Sequence, residues 1–255
     1  MAKVATASNE EIVIYQTEQG VMDFFILGQT PLILRRMAQK GLQELLMPKG
    51  RKTAAEKASQ LKHDPVAEYR ESPYVVDDEG AMLGLMTTSF KNAMKTAALD
   101  LPGAKKSQIG RLVYVEGALT PVSGKPEIFM SVTRSADMNR TPDVRTRMIL
   151  REWACRLSIR FVKPILREQS IANLLAAAGF QSGVGDWRQE KGSGNYGCFK
   201  LVSADDADWN RIVATQGRAV QQEGIDNPVA YDREPEELLS WFAMEVKRRG
   251  FKVAA

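Results

Sequence analysis

The sequence feature that most constrains the fold is a run of strict alternation around residue 155. In the stretch from Arg151 to Phe161, every second residue is apolar, namely Trp153, Cys155, Leu157, Ile159 and Phe161. Because successive side chains of a β-strand point to opposite faces, the pattern predicts a strand over 152–161 with one buried face. The other face presents Arg156 and Arg160 to solvent. The chain should therefore contain a sheet that is covered on one side.

Further elements alternate along the chain. Strands are predicted at EIVIYQ and VMDFFILG, joined by the turn-like TEQG as a hairpin or one bent strand, at RLVYVEGAL, PEIFMSVT and CFKLV, and in a short hairpin around DDEG. Helices are predicted for LILRRMAQKGLQELL after Thr30-Pro31, for TTSFKNAMKTAALDL and for REQSIANLLAAAGF. Mixed strands and helices of this kind indicate an α+β fold.

Two basic segments interrupt this pattern. Residues 47–72 contain few large apolar side chains and predict an exposed insertion, and 134–150 predicts a long loop or a protruding hairpin that adds Arg145 and Arg147. The stretch from Arg35 to Lys62 has 8 basic and 2 acidic residues, and that from Arg134 to Arg167 has 9 basic and 3 acidic. Clustering of one sign indicates an anionic partner more than simple solvation.

The acidic C-terminal part has its own character. We predict a core over residues 11–202 and a helical extension over 203–255, with helices at SADDADWNRIVA and EPEELLSWFAMEVKRRG. In the second helix, acids lead and basic residues close, as the helix dipole favours. An apolar stripe on it is expected to pack within the chain: Leu238, Leu239, Phe242 and Val246.

Several classes of protein are disfavoured. Two cysteines and a single histidine, His63, are too few for a structural zinc site, and His63 is expected in an exposed loop. We expect no metal and no cofactor. The N-terminus lacks the apolar stretch of a secretory signal, and no apolar run approaches the ~18 residues that span a bilayer. A cytoplasmic protein is expected, in a bacterial host if a phage encodes it.

A glycine-rich loop at 183–199 carries most of the functional argument. Gly192, Gly194 and Gly197 match G-x-G-x-x-G, but the motif follows a helix and opens a strand, which is the reverse of a dinucleotide site. One interpretation is a tight connection whose Trp187 and Tyr196 cover the core. The other is a ledge for single-stranded nucleic acid, on which aromatic rings stack bases, basic side chains contact phosphates, and glycine amides approach the backbone. The residues assigned to this ledge are Trp187, Tyr196, Arg188, Lys191, Gly183, Gly185, Gly192 and Gly194, together with Arg156, Arg160, Arg145 and Arg147.

The order of elements up to this loop resembles that of the RAMP superfamily, and within it the Cas7 backbone proteins of CRISPR effectors. The resemblance covers residues 11–202 and implies a modified RRM fold of the ferredoxin-like βαββαβ type. It also implies single-stranded nucleic acid bound along a row of subunits, with insertions that meet the neighbouring subunit. The stretch 141–202, with the TPLI at 30–33, is also similar to a group of uncharacterised bacteriophage proteins. The aromatic patterns of an ordinary RRM are missing from the strands.

Three functions follow in order of preference. The first is non-enzymatic, largely sequence-independent binding of single-stranded RNA or DNA by a helical or linear homo-oligomer. The second is a protein-interaction or assembly component of a phage or anti-phage system, which would assemble without nucleic acid. The third is a metal-dependent nuclease that uses acids among Asp137, Asp143, Glu152 and Asp186.

Overall fold

A computed structural model describes residues 16–47, 61–134, 140–191 and 194–251. Its strands are β1 (Glu18–Gly28), β2 (Leu32–Leu34), β3 (Tyr74–Val75), β4 (Leu83–Met86), β5 (Val113–Val115), β6 (Leu119–Ser123), β7 (Pro126–Arg134), β8 (Pro142–Leu150), β9 (Ala154–Lys163) and β10 (Phe199–Val202). Its α-helices are α1 (Gln39–Leu46), α2 (Pro65–Glu71), α3 (Thr87–Ala97), α4 (Lys106–Leu112), α5 (Glu168–Gln181), α6 (Ala207–Thr215), α7 (Arg218–Asp226) and α8 (Arg233–Arg249). Among these helices, none has the length and apolar character needed to cross a membrane.

The larger sheet contains a ferredoxin-like core. Four strands lie in the order β10, β1, β9, β5, and each pairs antiparallel with its neighbour. Helix α3 lies in the long connection from β1 to β5, helix α5 connects β9 to β10, and the two helices pack on each other. This is the βαββαβ arrangement, so the predicted α+β, RRM-like fold class is confirmed. Strands β6, β4 and β3 extend the sheet beyond β9.

The alternation in β9 defines the two faces of this sheet. Its apolar set is buried and packs with Phe90 and Met94 of α3 and with Ile171 and Leu175 of α5. Cys155 belongs to this set, and burial raises the pKa of its thiol, in keeping with its predicted role as a small hydrophobe. The opposite face of β9 carries Arg156 and Arg160, as predicted.

The helix predicted to open at Thr30-Pro31 is wrong for its first half. Leu32, Ile33 and Leu34 form strand β2, which pairs with β8, and α1 begins only at Gln39. All three β2 side chains are buried because the two faces of the small sheet are both covered. A continuous apolar triplet fits a strand buried on both sides as well as it fits a helix.

Strand β1 is continuous from Glu18, so the hairpin alternative at TEQG is wrong, and the alternative of one bent strand stays a prediction. The preceding strand candidate, EIVIYQ, lies almost wholly outside the described residues, as do the predicted exposed segment at 48–60 and the tip of the 134–150 insertion. The hairpin alternative for that insertion is confirmed, since β7 and β8 pair from Pro126↔Leu150 out to Arg134↔Pro142. Together with β2 they form a second, three-stranded sheet.

The end of the 47–72 insertion contributes to the core, contrary to expectation. Helix α2 buries Tyr69 completely, and the Tyr69 hydroxyl donates a hydrogen bond to the carbonyl of Gly224, 2.8 Å away. Asp64 caps this helix through the amide of Ala67. The segment is mostly polar, so its one buried aromatic residue, Tyr69, was not predicted to belong to the core.

The C-terminal extension has three helices where two were predicted, and it is bound closely to the core. The buried Gln221 side chain of α7 accepts hydrogen bonds from the amides of Met82 and Leu83 and donates to the carbonyls of Val122 and Gly124. The proposed boundary at 202/203 falls between β10 and α6 and stays a prediction.

Candidate nucleic-acid interface

The outer sheet face is the side of the large sheet that carries Arg156 and Arg160. Arg156 donates to Asp23 over 2.6 Å and lies 5.7 Å from the centre of the Phe25 ring. Arg160 donates to Glu116 over 2.7 Å and lies 5.5 Å from the Tyr114 ring. Both predicted phosphate-binding arginines therefore already have a carboxylate partner.

Helix α6 covers one end of this face. The Trp209 ring meets Phe25 edge-on at 5.0 Å, and its Nε1 donates to the carbonyl of Cys155 over 3.2 Å. Ile212 packs with Leu27 and Ala154 in a small apolar cluster. The face is thus partly closed by the chain itself.

The glycine-rich loop lies elsewhere, against the small sheet. Asp186 donates its amide to the carbonyl of Ile33, and Gly197 donates to that of Pro31, at 2.9 and 2.8 Å. At Gly197 φ is +72°, and a Cβ there would lie 1.8 Å from the carbonyl oxygen of Val184. This glycine is needed for close approach to its own chain.

Other glycines of the loop also lie close to the backbone of the same chain. The amide of Gly183 is bonded to the carbonyl of Ala178 at 2.9 Å, and a Cβ on Gly194 would overlap the carbonyl of Trp187. Gly185 approaches the carbonyl of Ile33. Gly192 and the Lys191 side chain lie outside the described part of the structure. The loop is therefore held mainly by hydrogen bonds to neighbouring segments of the same chain.

The aromatic residues of the loop form a cluster on the small sheet. Trp187 and Tyr196 stack at 5.9 Å, with Phe129 of β7 and Tyr231 packed beside them. Ile33 and Ile149 complete the buried base of the cluster. Of the two interpretations of the loop, the covering connection matches this packing. Both rings remain half-buried, and base stacking on them stays a prediction.

Two adjoining cavities, of about 410 and 470 Å³, share Arg35 in their walls and together form what we call the basic groove. One lies along β8 and the segment after β2, and the other lies between β4 and the glycine-rich loop. The cationic side chains that line the groove are Arg35, Arg36, Lys62, Arg145, Arg147 and Arg188, and two aromatic rings lie in it, those of Tyr74 and Trp187.

The floor of the groove is an arginine pair bound to one carboxylate. The Arg147 side chain is only 7% exposed, and its Nε lies 3.3 Å from Oδ2 of Asp186, whose other oxygen lies 3.4 Å from Nη1 of Arg35. Burial lowers the pKa of Arg147 and Asp186 opposes that shift. Since a guanidinium stays protonated in proteins, the site keeps two positive charges against one negative.

Two further arginines of the groove have no carboxylate partner among the described residues. Arg36 lies over the Tyr74 ring at 5.7 Å, and Arg145 is exposed on β8, on the same side of the strand as Arg147. Arg188, by contrast, is bound to Glu190 and to the carbonyl of Gly185. Arg36 and Arg145 are therefore the groups of the groove best placed to bind a phosphate.

The acids near the groove are mostly satisfied within its wall. Asp143 accepts from Lys62 and from His63 at 2.6 and 2.9 Å, and the Lys62 hydrogen bond is the main reason that its pKa is lowered. The other ring nitrogen of His63 contacts Glu68 at 2.7 Å. His63, expected to be exposed, is instead held between two carboxylates. Glu71 accepts from the amide of Gln39.

The acids considered for a nuclease are dispersed. Asp143 binds Lys62 and His63, Asp186 binds Arg35 and Arg147, and Glu152 binds Arg211 and Gln216 far along the chain. Asp137 lies outside the described residues. Within the described ranges, no group of three or more His, Cys, Asp or Glu side chains is arranged to hold a metal ion.

The structure thus separates the predicted residues into two sets. Arg145, Arg147, Arg188, Gly185 and Trp187 come together in the basic groove. Arg156 and Arg160 lie on the outer sheet face with other neighbours. The expected single ridge that joins them to the loop is not formed, because the loop packs on the small sheet and the two arginines belong to the large one.

Arg35, Arg36 and Tyr74 were missed as site residues. The signal was present in the sequence, since Arg35 and Arg36 directly follow the apolar triplet of β2. The helical interpretation of that stretch placed them inside a helix. If Leu32–Leu34 is taken as a strand, Arg35 and Arg36 lie at its end, beside the strand with which it pairs, β8.

Comparisons with known proteins give weak matches only. No protein-family model matches the chain, and no curated protein does. Among solved structures, Cmr6 from Pyrococcus furiosus aligns with 72% of this chain and 99% of its own, at 9% identity and a TM-score of 0.38. A Type III-B Cmr-beta complex bound to cognate target RNA contains a chain that aligns over 72% of this one and 59% of its own, at 12% identity and a TM-score of 0.40. The resemblance to the RAMP superfamily and the link to bacteriophage proteins stay predictions.

Proposed function

We propose that the protein binds single-stranded nucleic acid in the basic groove, as a binding protein without a catalytic step of its own. The observation that carries the proposal is the position of Arg36 and Arg145, which share one groove and have no carboxylate partner among the described residues. Phosphate oxygens are the natural partners of such guanidinium groups because both can form paired, charge-assisted hydrogen bonds.

The aromatic rings of the groove favour a single strand over a duplex as the ligand. Tyr74 lies beside Arg36, and Trp187 lines the adjoining cavity. An unpaired base exposes a π-face that can stack on such rings, whereas the bases of a duplex are already stacked on each other. The proposal assigns Arg36 and Arg145 to phosphates and Tyr74 to a base.

Little sequence preference is expected from this arrangement. Arginines that contact phosphates and rings that stack on bases recognise features that every nucleotide shares. The homo-oligomer on a longer strand stays a prediction. The ligand stays single-stranded RNA or DNA.

Fluorescence anisotropy with a labelled single-stranded oligonucleotide of mixed sequence tests the proposal. Each phosphate contact should contribute about −0.7 to the slope of log K against log[salt], so the two assigned contacts predict a slope of about −1.4. A duplex of the same length should bind more weakly. Failure to bind at low salt, or binding that does not respond to salt, would contradict the proposal.

A further inference from the structure

A shallow hollow of about 680 Å³ lies between the C-terminal end of α3 and helix α4. Its described wall contains cationic side chains and no acidic one, and the remaining wall residues are small or apolar. We call this surface the α4 patch, and its cations are Lys95, Lys105, Lys106 and Arg111.

The charges of the α4 patch are not balanced within the described part of the chain. None of its four cations forms an ion pair with a described carboxylate, and Arg111 donates to the carbonyl of Ser107, 3.3 Å away. The segment 87–112 has five basic residues and one acid, Asp100, which does not line the hollow. Because like charges that converge without a counter-charge repel each other, an anion bound in the hollow would be attracted by all four cations.

A single row of side chains on α3 connects the basic groove to the α4 patch. Residues three apart on a helix form a ridge that runs diagonally across its surface. One such row starts at the N-cap residue, Met86, continues through Ser89, Asn92 and Lys95, and ends at the C-cap residue, Ala98. Met86 and Ser89 line the groove, whereas Lys95 and Ala98 line the patch. Asn92, between them, is exposed and neutral.

The path along this row is short, and the acid beside it is paired. Ser89 and Lys95 are six residues apart, which is about 9 Å along the helix axis. Successive phosphates of one stacked strand lie about 3.4 Å apart along its axis, so a few nucleotides cover that distance. The carboxylate of Glu190 accepts from the hydroxyl of Thr96 at 2.9 Å and from Arg188 at 2.8 Å. Its negative charge is therefore matched within the chain.

We propose that a single strand bound in the basic groove continues across this row of α3 onto the α4 patch, where the cations bind its phosphates. The inference rests on the proposed function, because it extends the same ligand to a second surface. A nucleic-acid strand fits better than an acidic protein surface, since it is a continuous line of charge that can follow the groove, the row and the patch in succession. The described wall of the patch contains no aromatic ring, so it contributes charge and not base stacking.

Fluorescence anisotropy with two labelled single strands, of about 5 and about 15 nucleotides, tests the proposal. The salt slope is the main readout, because a longer strand offers more registers for binding without adding contacts in any one of them. The wild type should show a slope of about −1.4 with the short strand. With the long strand the slope should be steeper by at least about 1.4, since at least two cations of the patch gain a phosphate. Equal slopes for the two lengths would overturn the proposal.

Lys105→Glu combined with Lys106→Glu reverses the charge of the patch at two exposed positions. It should weaken binding of the long strand about tenfold or more and bring its slope close to that of the short strand. Affinity for the short strand should stay within about threefold of the wild type. The variant should fold, since glutamates are favoured at the start of a helix, and a thermal melt checks this. Unchanged binding of the long strand would contradict the proposal.

A matched control separates the patch from a general effect of charge. Lys125→Glu combined with Lys200→Glu makes the same change of net charge at exposed positions outside the groove and the patch. It should leave both strands within about threefold of the wild type, and a loss equal to that of the patch variant would overturn the inference.

The two strand lengths also separate this inference from the proposed function. If neither strand binds the wild type, the proposed function fails. If the short strand binds and the long one adds no slope, only the extension onto the α4 patch fails. A patch variant that binds both strands normally but loses self-association in sedimentation velocity would assign the patch to an acidic protein surface, and would also overturn the inference.

Discussion

The outer sheet face and the basic groove both place arginines beside aromatic rings, yet they differ in the charge that they leave available. On the outer sheet face, Arg156 and Arg160 are each bound to a carboxylate on a neighbouring strand or turn. In the basic groove, Arg36 and Arg145 have no such partner among the described residues. The comparison shows that the neighbours of an arginine, more than its exposure, determine whether its charge is already paired with a carboxylate.

The register explains the difference. Phe25 lies opposite Arg156 in the β1–β9 pairing, and Asp23 is two residues away on the same face of the strand. In the β7–β8 pairing, Ser131 lies opposite Arg145 and Phe129 lies opposite Arg147. The cross-strand neighbours in the second case are neutral, so Arg145 has no carboxylate opposite it, and Arg147 pairs with Asp186 of the glycine-rich loop instead.

The largest effect is expected when the carboxylate at the floor of the groove is neutralised. Asp186→Asn leaves the buried Arg147 guanidinium without a counter-charge. Breaking a fully buried pair costs roughly 3–5 kcal/mol. Because the Asp186 side chain is about 20% exposed, we expect about 2–3 kcal/mol of lost unfolding free energy in urea titrations.

The matched variant on the outer sheet face is Glu116→Gln. It breaks the ion pair with Arg160, in which both side chains are about 40% exposed, and should change the free energy of unfolding by less than about 1 kcal/mol. Equal losses in the two variants would remove the distinction between a buried and an exposed arginine site.

The next effect concerns binding. Arg36→Ala combined with Arg145→Ala should weaken binding of a single-stranded oligonucleotide by about 10–100-fold at low salt and reduce the salt slope by about 1.4, because two phosphate contacts are lost. Anisotropy titrations at several salt concentrations measure both quantities. An unchanged affinity would assign the ligand to another surface.

A smaller effect follows from acid titration. Lys62 holds the pKa of Asp143 below its usual range mainly through a hydrogen bond, and Arg156 does the same for Asp23. A depressed folded-state pKa gives stability that is present above the ordinary carboxyl pKa of about 4 and is lost as the pH falls through the folded value. The wild type should therefore lose stability below about pH 4.

Variants of Asp143 and Asp23 show how much of the stability lost in acid comes from the basic groove and how much from the outer sheet face. Asp143→Asn should flatten the acid dependence more than Asp23→Asn, because Asp143 accepts from both Lys62 and His63 whereas Asp23 has the single guanidinium of Arg156. Urea unfolding at pH 7 and pH 3 makes the comparison. A larger change for Asp23→Asn would reverse the order proposed for the two regions.

The smallest effect on oligonucleotide binding is expected for Arg156 and Arg160, which were predicted from the sequence to contact phosphates. Arg156→Ala combined with Arg160→Ala should change oligonucleotide affinity by less than about threefold, since each side chain is already occupied by a surface ion pair of about 0–1 kcal/mol. The same anisotropy assay applies. A loss as large as that of the groove variant would return the site to the outer sheet face.

Local pattern predicted most of the fold. Alternation identified β9 and its two faces, and helical spacing identified α3 and α5, because these elements bury one regular set of side chains. It failed at β2, where a short strand is buried on both faces, and at α7, whose Gln221 is buried by hydrogen bonds that no apolar pattern indicates.

The site was predicted in part for a similar reason. The charge clusters were identified from composition, and Arg145, Arg147 and Trp187 belong to the groove. What the sequence could not provide was which cations are paired, since Asp23 lies 133 residues from Arg156 along the chain and Asp186 lies 151 from Arg35. Those contacts depend on strand register and on where the loop packs.

Photo-crosslinking with a single-stranded oligonucleotide that contains 5-bromouracil tests the central claim most directly, because it reports which aromatic side chains lie against the bases. Each region offers its own rings, Tyr74 and Trp187 in the basic groove and Phe25 and Tyr114 on the outer sheet face. The account predicts crosslinked peptides that contain Tyr74 or Trp187. Crosslinks confined to Phe25 and Tyr114 would contradict it.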